Sequence, residues 1–341
     1  MKASEADLEE IESPQGILEL ASAFMRSRAF LTACELDLFT VMGDGERTSA
    51  DVARDLGADP RATDRLMNVL CVLGVLRKRA GHFRNTPSVA RFLVQTSPES
   101  MGGLMHWVHL WDSWSTLTPA VRQGGSVTAR PVDAHDDVWL RAFIAAMHWR
   151  ACRHAPGVVA SLDLTGVSRV LDVGGGSGAY AMEFVRAEPG ISATVFDLPT
   201  VLPLTSEYVG QAGFQGRVTL VAGDYDTDDL GTGFDLVFLS AIIHSNSPQG
   251  NRDLIRKGVA ALNPSGQLVV QDFIVGEERT GPPFGVLFAL NMLVGTEAGD
   301  TYTESEVRGW MAAAGLARVA RRDTSFGTSV LVGRRAGERM S

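Results

Sequence analysis

The chain has 341 residues, 45% of them hydrophobic and 21% charged, a globular composition that excludes a disordered chain, a collagen-like rod and a coiled-coil rod. Its 31 Lys and Arg against 40 Asp and Glu leave a formal charge of −9, which argues against a sequence-independent nucleic-acid binder. Three separated cysteines (Cys34, Cys71 and Cys152) form no CxxC pair, so reduced thiols are expected rather than a disulfide framework or a structural zinc site. The acidic opening MKASEADLEEIESPQG has no apolar h-region, and no apolar run is long enough to cross a bilayer. A cytoplasmic protein without a membrane segment is expected, of a length that suits two domains.

Residues 1–100 read as short helices with marked ends. Ile17 to Leu38 carries an apolar stripe at helical spacing through Leu20, Phe24, Ala33 and Leu36. Thr48-Ser49 caps a helix that ends at Gly57, and Asp59-Pro60 opens a second, Arg61 to Leu73, stopped by Gly74. VLRKRAGHFRNT then reads as two strands turning at Ala80-Gly81. Helix, turn, helix and hairpin make a winged-helix pattern, and its charge decides its use. Residues 1–100 hold 12 Lys/Arg against 15 Asp/Glu, and the second helix presents Leu66, Met67, Val69 and Leu70 where a groove reader needs polar base contacts. A buried or dimerising domain is expected, not a nucleic-acid partner.

Residues 101–165 form a helical connector rich in aromatics, with Trp107, Trp111, Trp114, Trp139 and Trp149. Such residues pack a bundle core and can also line an apolar ligand pocket. From residue 166 the texture changes. SRVLDV, SATVFD, RVTLVAGD, FDLVFLSAII and GQLVVQDFIV are short β-rich runs separated by helical stretches, the signature of a doubly wound α/β sheet. ARVARRDT and TSVLVGRR close the chain as a candidate antiparallel pair.

The first strand-to-helix turn of that half reads LDVGGGSGA. Gly174, Gly176 and Gly178 let the backbone turn sharply and a ligand approach the main chain. Taken as G-x-G-x-x-A, the loop could cradle a dinucleotide. Asp172, two positions before Gly174, decides against a pyrophosphate, which it would repel, and in favour of a ligand carrying an ammonium and a sulfonium. The pattern D-x-G-x-G-x-G therefore favours S-adenosylmethionine (SAM) over NAD. Asp197 ends the next strand, where an acid accepts from ribose hydroxyls. Asp224 ends the third and is followed by Tyr225, so the pair suits an adenine ring and its amino group.

His244 follows the fourth strand, at the crevice where open α/β sheets bind ligands. It is the only histidine after residue 154, which excludes a two-histidine metal site in this half, and no metal is expected. Asp272, near the end of the adjacent fifth strand, can hold one ring nitrogen and free the other as a general base. A phenol of pKa about 10 is mostly protonated at neutral pH. Attack on an activated methyl group requires that proton gone, so a base positioned beside it meets the need.

With LDVGGGSGAY, VFDLP, GDY, FALNMLV, TYTESEV and AAAGL in hand, the chain resembles SAM-dependent small-molecule O-methyltransferases. The likeness is to plant caffeic acid O-methyltransferases and bacterial acetylserotonin-type or secondary-metabolite enzymes, over nearly the whole chain. The resemblance implies a class I methyltransferase Rossmann-like sheet at 166–341 and an N-terminal, mostly α winged-helix dimerisation domain at 1–100. It also implies a homodimer and a small-molecule substrate. By position it implies Asp172, Gly174, Gly176, Gly178, Asp197, Leu198, Asp224, Tyr225 and Ser240 around SAM, with S-adenosylhomocysteine as product. His244 is implied as base and Asp272 as its orienting acid, with Phe143, Met147, Phe288, Asn291 and Met292 bordering the substrate. The chain departs from the family at His244-Ser245-Asn246 (often His-Asp-Trp), at Asp272 (more often Glu) and at Thr301, which stands where a second acid is expected.

The expected reaction is methyl transfer to a hydroxyl of a small aromatic secondary metabolite, of the kind met in antibiotic biosynthesis. The alternatives are methylation of carbon or nitrogen in a small acid, a non-methylating reaction on bound SAM, and a SAM-sensing winged-helix regulator. Arg122, Arg141, Arg150 and Arg153 are candidates to hold a substrate carboxylate.

Overall fold

The structure is a computed structural model that describes residues 10–324 and 326–335. The acidic segment at residues 1–9, part of the opening read above as lacking a leader, lies outside the described residues. The chain divides into two compact units, Met1–Trp111 and Asp112–Ser341. Among the described residues no helix is long and apolar enough to cross a membrane.

In the first unit the local signals act where the sequence places them. Thr48 accepts from the Asp51 amide and caps the helix Ser49–Leu56, which stops at Gly57 in the left-handed region (φ 62°). Asp59 accepts from the Ala62 amide and caps Pro60–Val72, with Pro60 in the first turn, where its missing N–H is harmless. The strands Leu76–Arg79 and His82–Asn85 pair antiparallel about Ala80 and Gly81, both at positive φ. Arg47–Thr48 joins His82–Asn85 on its other side, completing a three-stranded wing.

The stripe over Ile17 to Leu38 behaves differently. Helical backbone runs from Pro14 through Ala23 to Glu35, and Asp37 (φ 53°) breaks it before Leu38–Met42. Within Phe24–Glu35 only Ala33 is fully buried, and Leu20 is 67% exposed. The C-terminal half of that face serves the core of its own unit through Ala33 and Leu38, whereas Ile17, Leu20 and Phe24 in the N-terminal half stay exposed.

The second unit is built on a seven-stranded sheet. Its strands are β1 (Arg169–Val173), β2 (Ser192–Asp197), β3 (Val218–Ala222), β4 (Phe234–Ser240), β5 (Leu262–Asp272), β6 (Leu316–Asp323) and β7 (Ser329–Arg335), in spatial order β6-β7-β5-β4-β1-β2-β3. All neighbours from β5 to β3 pair parallel, whereas β7 runs antiparallel to both β5 and β6. β1 and β4 are near-continuous apolar runs, buried on both faces as helix-covered parallel strands must be. The order reverses between β1 and β4, because the chain steps outward from β1 to β3 and then returns to β4 on the other side. Ligands of such sheets bind at the carboxyl ends of the strands flanking that reversal. The ends of β1 and β4 carry Asp172 and His244, and the ends of their outer neighbours β2 and β5 carry Asp197 and Asp272.

Four helices frame the crevice: α1 (Asp137–Ala160), α2 (Ala179–Ala187), α3 (Pro248–Ala261) and α4 (Pro283–Gly295). Asp136 caps α1 by accepting from the Trp139 amide, and Ser247 caps α3 by accepting from Gly250.

Candidate active site

The glycine loop closes β1 onto α2. Gly174, Gly176 and Gly178 all sit at positive φ (63°, 57° and 74°), where other residues are strained. A Cβ on Gly174 would stand 2.5 Å from Ile242 Cδ1, and one on Gly175 would stand 2.8 Å from Asp172 Oδ2. The loop is also held from outside. Gly174 N donates to Phe196 O (2.8 Å), Gly176 N to Asp197 Oδ2 (2.7 Å) and Thr205 Oγ1 to Gly176 O (2.6 Å). From α1, His148 Nδ1 meets Ser177 Oγ at 2.9 Å.

Asp172 is 1% exposed, and burial pushes its carboxyl up to about 7; the nearby Asp197 adds to the rise against an opposing hydrogen bond from Ala181. One oxygen accepts the Ala181 amide at 3.2 Å, while Oδ1 is buried without a hydrogen-bond partner. An unsatisfied buried carboxylate oxygen is costly unless a donor reaches it. An ammonium ligand at the mouth of the loop supplies that donor, so the residues present fit the amino-acid end of SAM.

Asp197 is half-buried at the end of β2, and burial pushes its carboxyl up to about 6 against two opposing backbone hydrogen bonds. Its oxygens accept from Gly176 N and Leu198 N, each at 2.7 Å. The carboxylate therefore shapes the loop as well as facing the crevice. Gly223 N donates to Asp197 O (3.0 Å), which sets Asp224 and Tyr225 beside it. Asp224 Oδ1 caps its own turn by accepting from Asp226 N at 2.9 Å. The Tyr225 hydroxyl donates to Asn246 Oδ1 at 3.0 Å, and burial, with Asp226 and Asp224 nearby, raises its pKa. Tyr225 thus ties the third strand end to the loop that carries His244. Ser240, at the end of β4, donates to Gln271 Oε1 on β5.

His244 lies in a short 3-10 turn, Ile243–Ser245, just after β4. Its Nδ1 meets Asp272 Oδ1 at 2.8 Å and Oδ2 at 3.0 Å, and Asp272 Oδ1 also accepts the Phe273 amide at 2.8 Å. The His244 side chain is 12% exposed and that of Asp272 1%. With Nδ1 donating to the carboxylate, Nε2 is the nitrogen left free to take a proton. The ring lies edge-on to Phe288 of α4, with centroids 4.9 Å apart, and Phe288 contacts Phe273 at 4.7 Å and Phe284 at 5.9 Å. These rings make an apolar wall beside the imidazole.

The other residues assigned to the substrate border lie on two helices, α4 and α1. Asn291, one turn beyond Phe288, accepts from Trp114 Nε1 at 2.8 Å, and Met292 is buried. Phe143 and Met147 lie one turn apart on α1, Phe143 stacking on Trp139 at 5.1 Å.

Several supporting residues carry no local sequence signal. Asn251 is completely buried in α3 and donates to Ile243 O at 2.8 Å; the Tyr302 hydroxyl donates to Asn246 O. Ala241, at φ 52°, turns the chain out of β4 and donates to Gln271 O at 2.8 Å. Thr301, where the family pattern has an acid, is buried, and its neighbour Asp300 reaches the histidine through its backbone: Asp300 N donates to His244 O at 3.0 Å. The Asp300 carboxylate faces Arg279 at 3.5 Å instead. Asp272 is thus the carboxylate that contacts the imidazole. Among the described residues no group of three or more His, Cys, Asp or Glu side chains could hold a metal ion.

A family model for the O-methyltransferase domain matches residues 119–317, and one for the O-methyltransferase dimerisation domain matches residues 18–96. The chain belongs to the O-methyltransferase family. It is accordingly an enzyme of the SAM-dependent class, with the class I methyltransferase fold and a helical N-terminal dimerisation domain. A relative from Streptomyces sahachiroi, 3-hydroxy-5-methyl-1-naphthoate 3-O-methyltransferase, is 32% identical over 90% of this chain and 90% of its own. The tetracenomycin polyketide synthesis 8-O-methyl transferase of Streptomyces glaucescens is 30% identical over 95% of this chain and 98% of its own. Among solved structures, an O-methyltransferase family protein from Burkholderia thailandensis superposes with a TM-score of 0.87 at 26% identity, covering 97% of this chain and 100% of that one. Where the family pattern more often has glutamate this O-methyltransferase carries Asp272, one methylene shorter, yet hydrogen-bonded to the His244 imidazole.

Proposed function

We propose that the enzyme methylates a ring hydroxyl of a small aromatic metabolite, with His244 as general base and Asp272 as the acid that orients it. The carrying observation is the His244–Asp272 pair at 2.8 Å, set beside an aromatic wall and one strand away from the glycine loop. Bound SAM supplies a methyl group already activated by a positively charged sulfur. The chain's own task is to hold the donor, position the acceptor hydroxyl and remove its proton.

Asp172 receives the donor's ammonium through Oδ1, and the glycine loop lets its amino-acid end approach the main chain. Asp197 with Leu198 takes the ribose, while Asp224, Tyr225 and Ser240 border the adenosine and sulfonium side. Phe288, Asn291 and Met292 of α4 and Phe143 and Met147 of α1 border the acceptor in this reading. His244 Nε2 takes the hydroxyl proton as the oxygen attacks, and the Asp272 carboxylate stabilises the imidazolium that forms. Excluding water with phenylalanine rings strengthens that pairing. An aromatic hydroxyl acceptor is supported by the names of the naphthoate and tetracenomycin relatives.

The working form is a homodimer joined through residues 1–100, with 101–165 as the connector that lines the substrate. The apolar residues left exposed at Ile17, Leu18, Leu20, Phe24 and Met25 support the first part. A cytoplasmic location fits an enzyme of this class with reduced cysteines. The test is to incubate the protein with SAM and a panel of phenols, hydroxynaphthoates and 2-oxo acids, reading products by mass spectrometry. A gain of one methyl on an aromatic hydroxyl, with S-adenosylhomocysteine formed in equal amount, is expected. Methylation on carbon or nitrogen alone would refute the reading.

A further inference from the structure

The four arginines that could hold an acceptor carboxylate differ sharply in what they already touch. Arg141 pairs with Glu207 at 3.2 Å. Arg153 donates to Trp149 O of its own helix and lies over the Trp149 ring. Arg122 is a surface residue. Arg150 is different: it is half-buried, its guanidinium lies 4.7 Å from the centre of the Phe273 ring and 5.9 Å from that of Phe284, and no acceptor among the described residues takes its N–H groups.

Its place in the fold matters as much. Phe143, Met147 and Arg150 follow at four- and three-residue steps on α1 and so share one face of that helix. Phe273 follows Asp272 directly, and Phe288 links Phe273 to the His244 ring. Every step along the path Arg150, Phe273, Phe288, His244 is under 5 Å (4.7, 4.7 and 4.9 Å). Burial lowers the pKa of Arg150, while Asp272 and Tyr180 act to raise it. Asp272 attracts this cation without binding it, since its oxygens are already engaged by His244 and the Phe273 amide.

Packing beside two rings holds a guanidinium in place without using its N–H groups, which donate in pairs to a carboxylate. A half-buried guanidinium whose N–H groups take no protein acceptor is available to a ligand carboxylate. We propose that Arg150 anchors a carboxylate on the methyl acceptor, so that the preferred substrate is a hydroxylated aromatic acid. The inference rests on the methyl-transfer reading above and adds the acceptor's chemical class. A carboxylate could also come from the donor's methionine end, but that end belongs at Asp172 and the glycine loop. Arg150 lies 4.7 Å from the Phe273 ring centre, in the aromatic wall next to His244.

The test compares the wild type with Arg150→Ala and Arg150→Lys, using a hydroxynaphthoate and the matching naphthol that lacks the carboxylate. The ratio of kcat/KM for the acid to that for the naphthol falls about 10- to 100-fold in Arg150→Ala and is partly restored in Arg150→Lys. Calorimetric affinity for S-adenosylhomocysteine is expected to be retained in both. A wild type with no preference for the acid, or an equal fall for both acceptors, overturns the proposal. So does weakened S-adenosylhomocysteine binding with an unchanged ratio, which assigns the guanidinium to the donor. Hydroxynaphthoate binding is also read by fluorescence in the presence of S-adenosylhomocysteine. Arg150-dependent binding without methyl transfer sustains the anchor and defeats the reaction proposed above.

Discussion

Replacing Asp172 by Asn separates stability from donor binding, and the two effects run in opposite directions. The ordinary carboxyl value of 3.8 becomes about 7 at this buried position. Between those values the ligand-free folded chain holds a proton that the unfolded chain has released. Stability therefore falls as pH rises from about 4 to about 7 and stays low above it. A shift of three units corresponds to no more than about 4 kcal/mol. Asn keeps the shape and an acceptor for the Ala181 amide without the ionisation, so ligand-free Asp172→Asn is more stable than wild type at pH 8. The gain shrinks toward pH 5. At about 2–4 °C per kcal/mol for a unit of this size, the difference is visible as several degrees in a thermal melt. Donor binding needs the ionised acid, so wild-type affinity for S-adenosylhomocysteine weakens up to about tenfold per pH unit below pH 7. In Asp172→Asn it is weak and nearly independent of pH. Melts and calorimetric titrations between pH 5.5 and 8.5 measure both. A variant that melts lower than wild type at pH 8, or binds the product normally, refutes the reasoning.

Three further outcomes follow from the same geometry. Asp272→Asn leaves the imidazole without its counter-charge and favours the wrong tautomer, so kcat falls about 10²- to 10⁴-fold with donor affinity kept; steady-state kinetics beside calorimetry checks this. Asn251→Ala removes the donor to Ile243 O from a site with no solvent access and costs about 1–3 kcal/mol, read as a lower midpoint in urea. Leu20→Glu with Phe24→Asp places charge on the exposed helical face of the first unit and yields folded monomer, seen by sedimentation with unchanged circular dichroism.

What the sequence revealed and what it hid follow from the range of the interactions. Capping residues such as Thr48 and Asp59 act within three positions, and the strands of the second unit declare themselves as short apolar runs, so the winged unit and the sheet are readable directly. Asp172, Asp197, His244 and Asp272 are readable because a parallel sheet gathers its strand ends, and the fourth and fifth strands read as neighbours. The bracing of His244 is not: Tyr302 reaches Asn246 across 56 residues, and Ser240 reaches Gln271 across 31, with nothing local to mark either partner. The stripe at Ile17 to Leu38 shows the opposite limit, since helical periodicity gives an apolar face but not its partner. The unpaired state of Arg150 is likewise invisible until the pairing of Arg141 and the turn of Arg153 toward Trp149 are known.

Removal of the acceptor's proton by His244 is most directly tested by comparing wild type and His244→Ala on a series of phenols of falling pKa, at fixed pH 8. A phenol of pKa about 10 needs a base, whereas a nitrophenol is already ionised at that pH. The loss of kcat in His244→Ala is expected to be large, about 10²- to 10⁴-fold, for the weakly acidic phenol and to shrink toward unity for the ionised one. An equal loss across the series would contradict a base and leave the imidazole a positioning group.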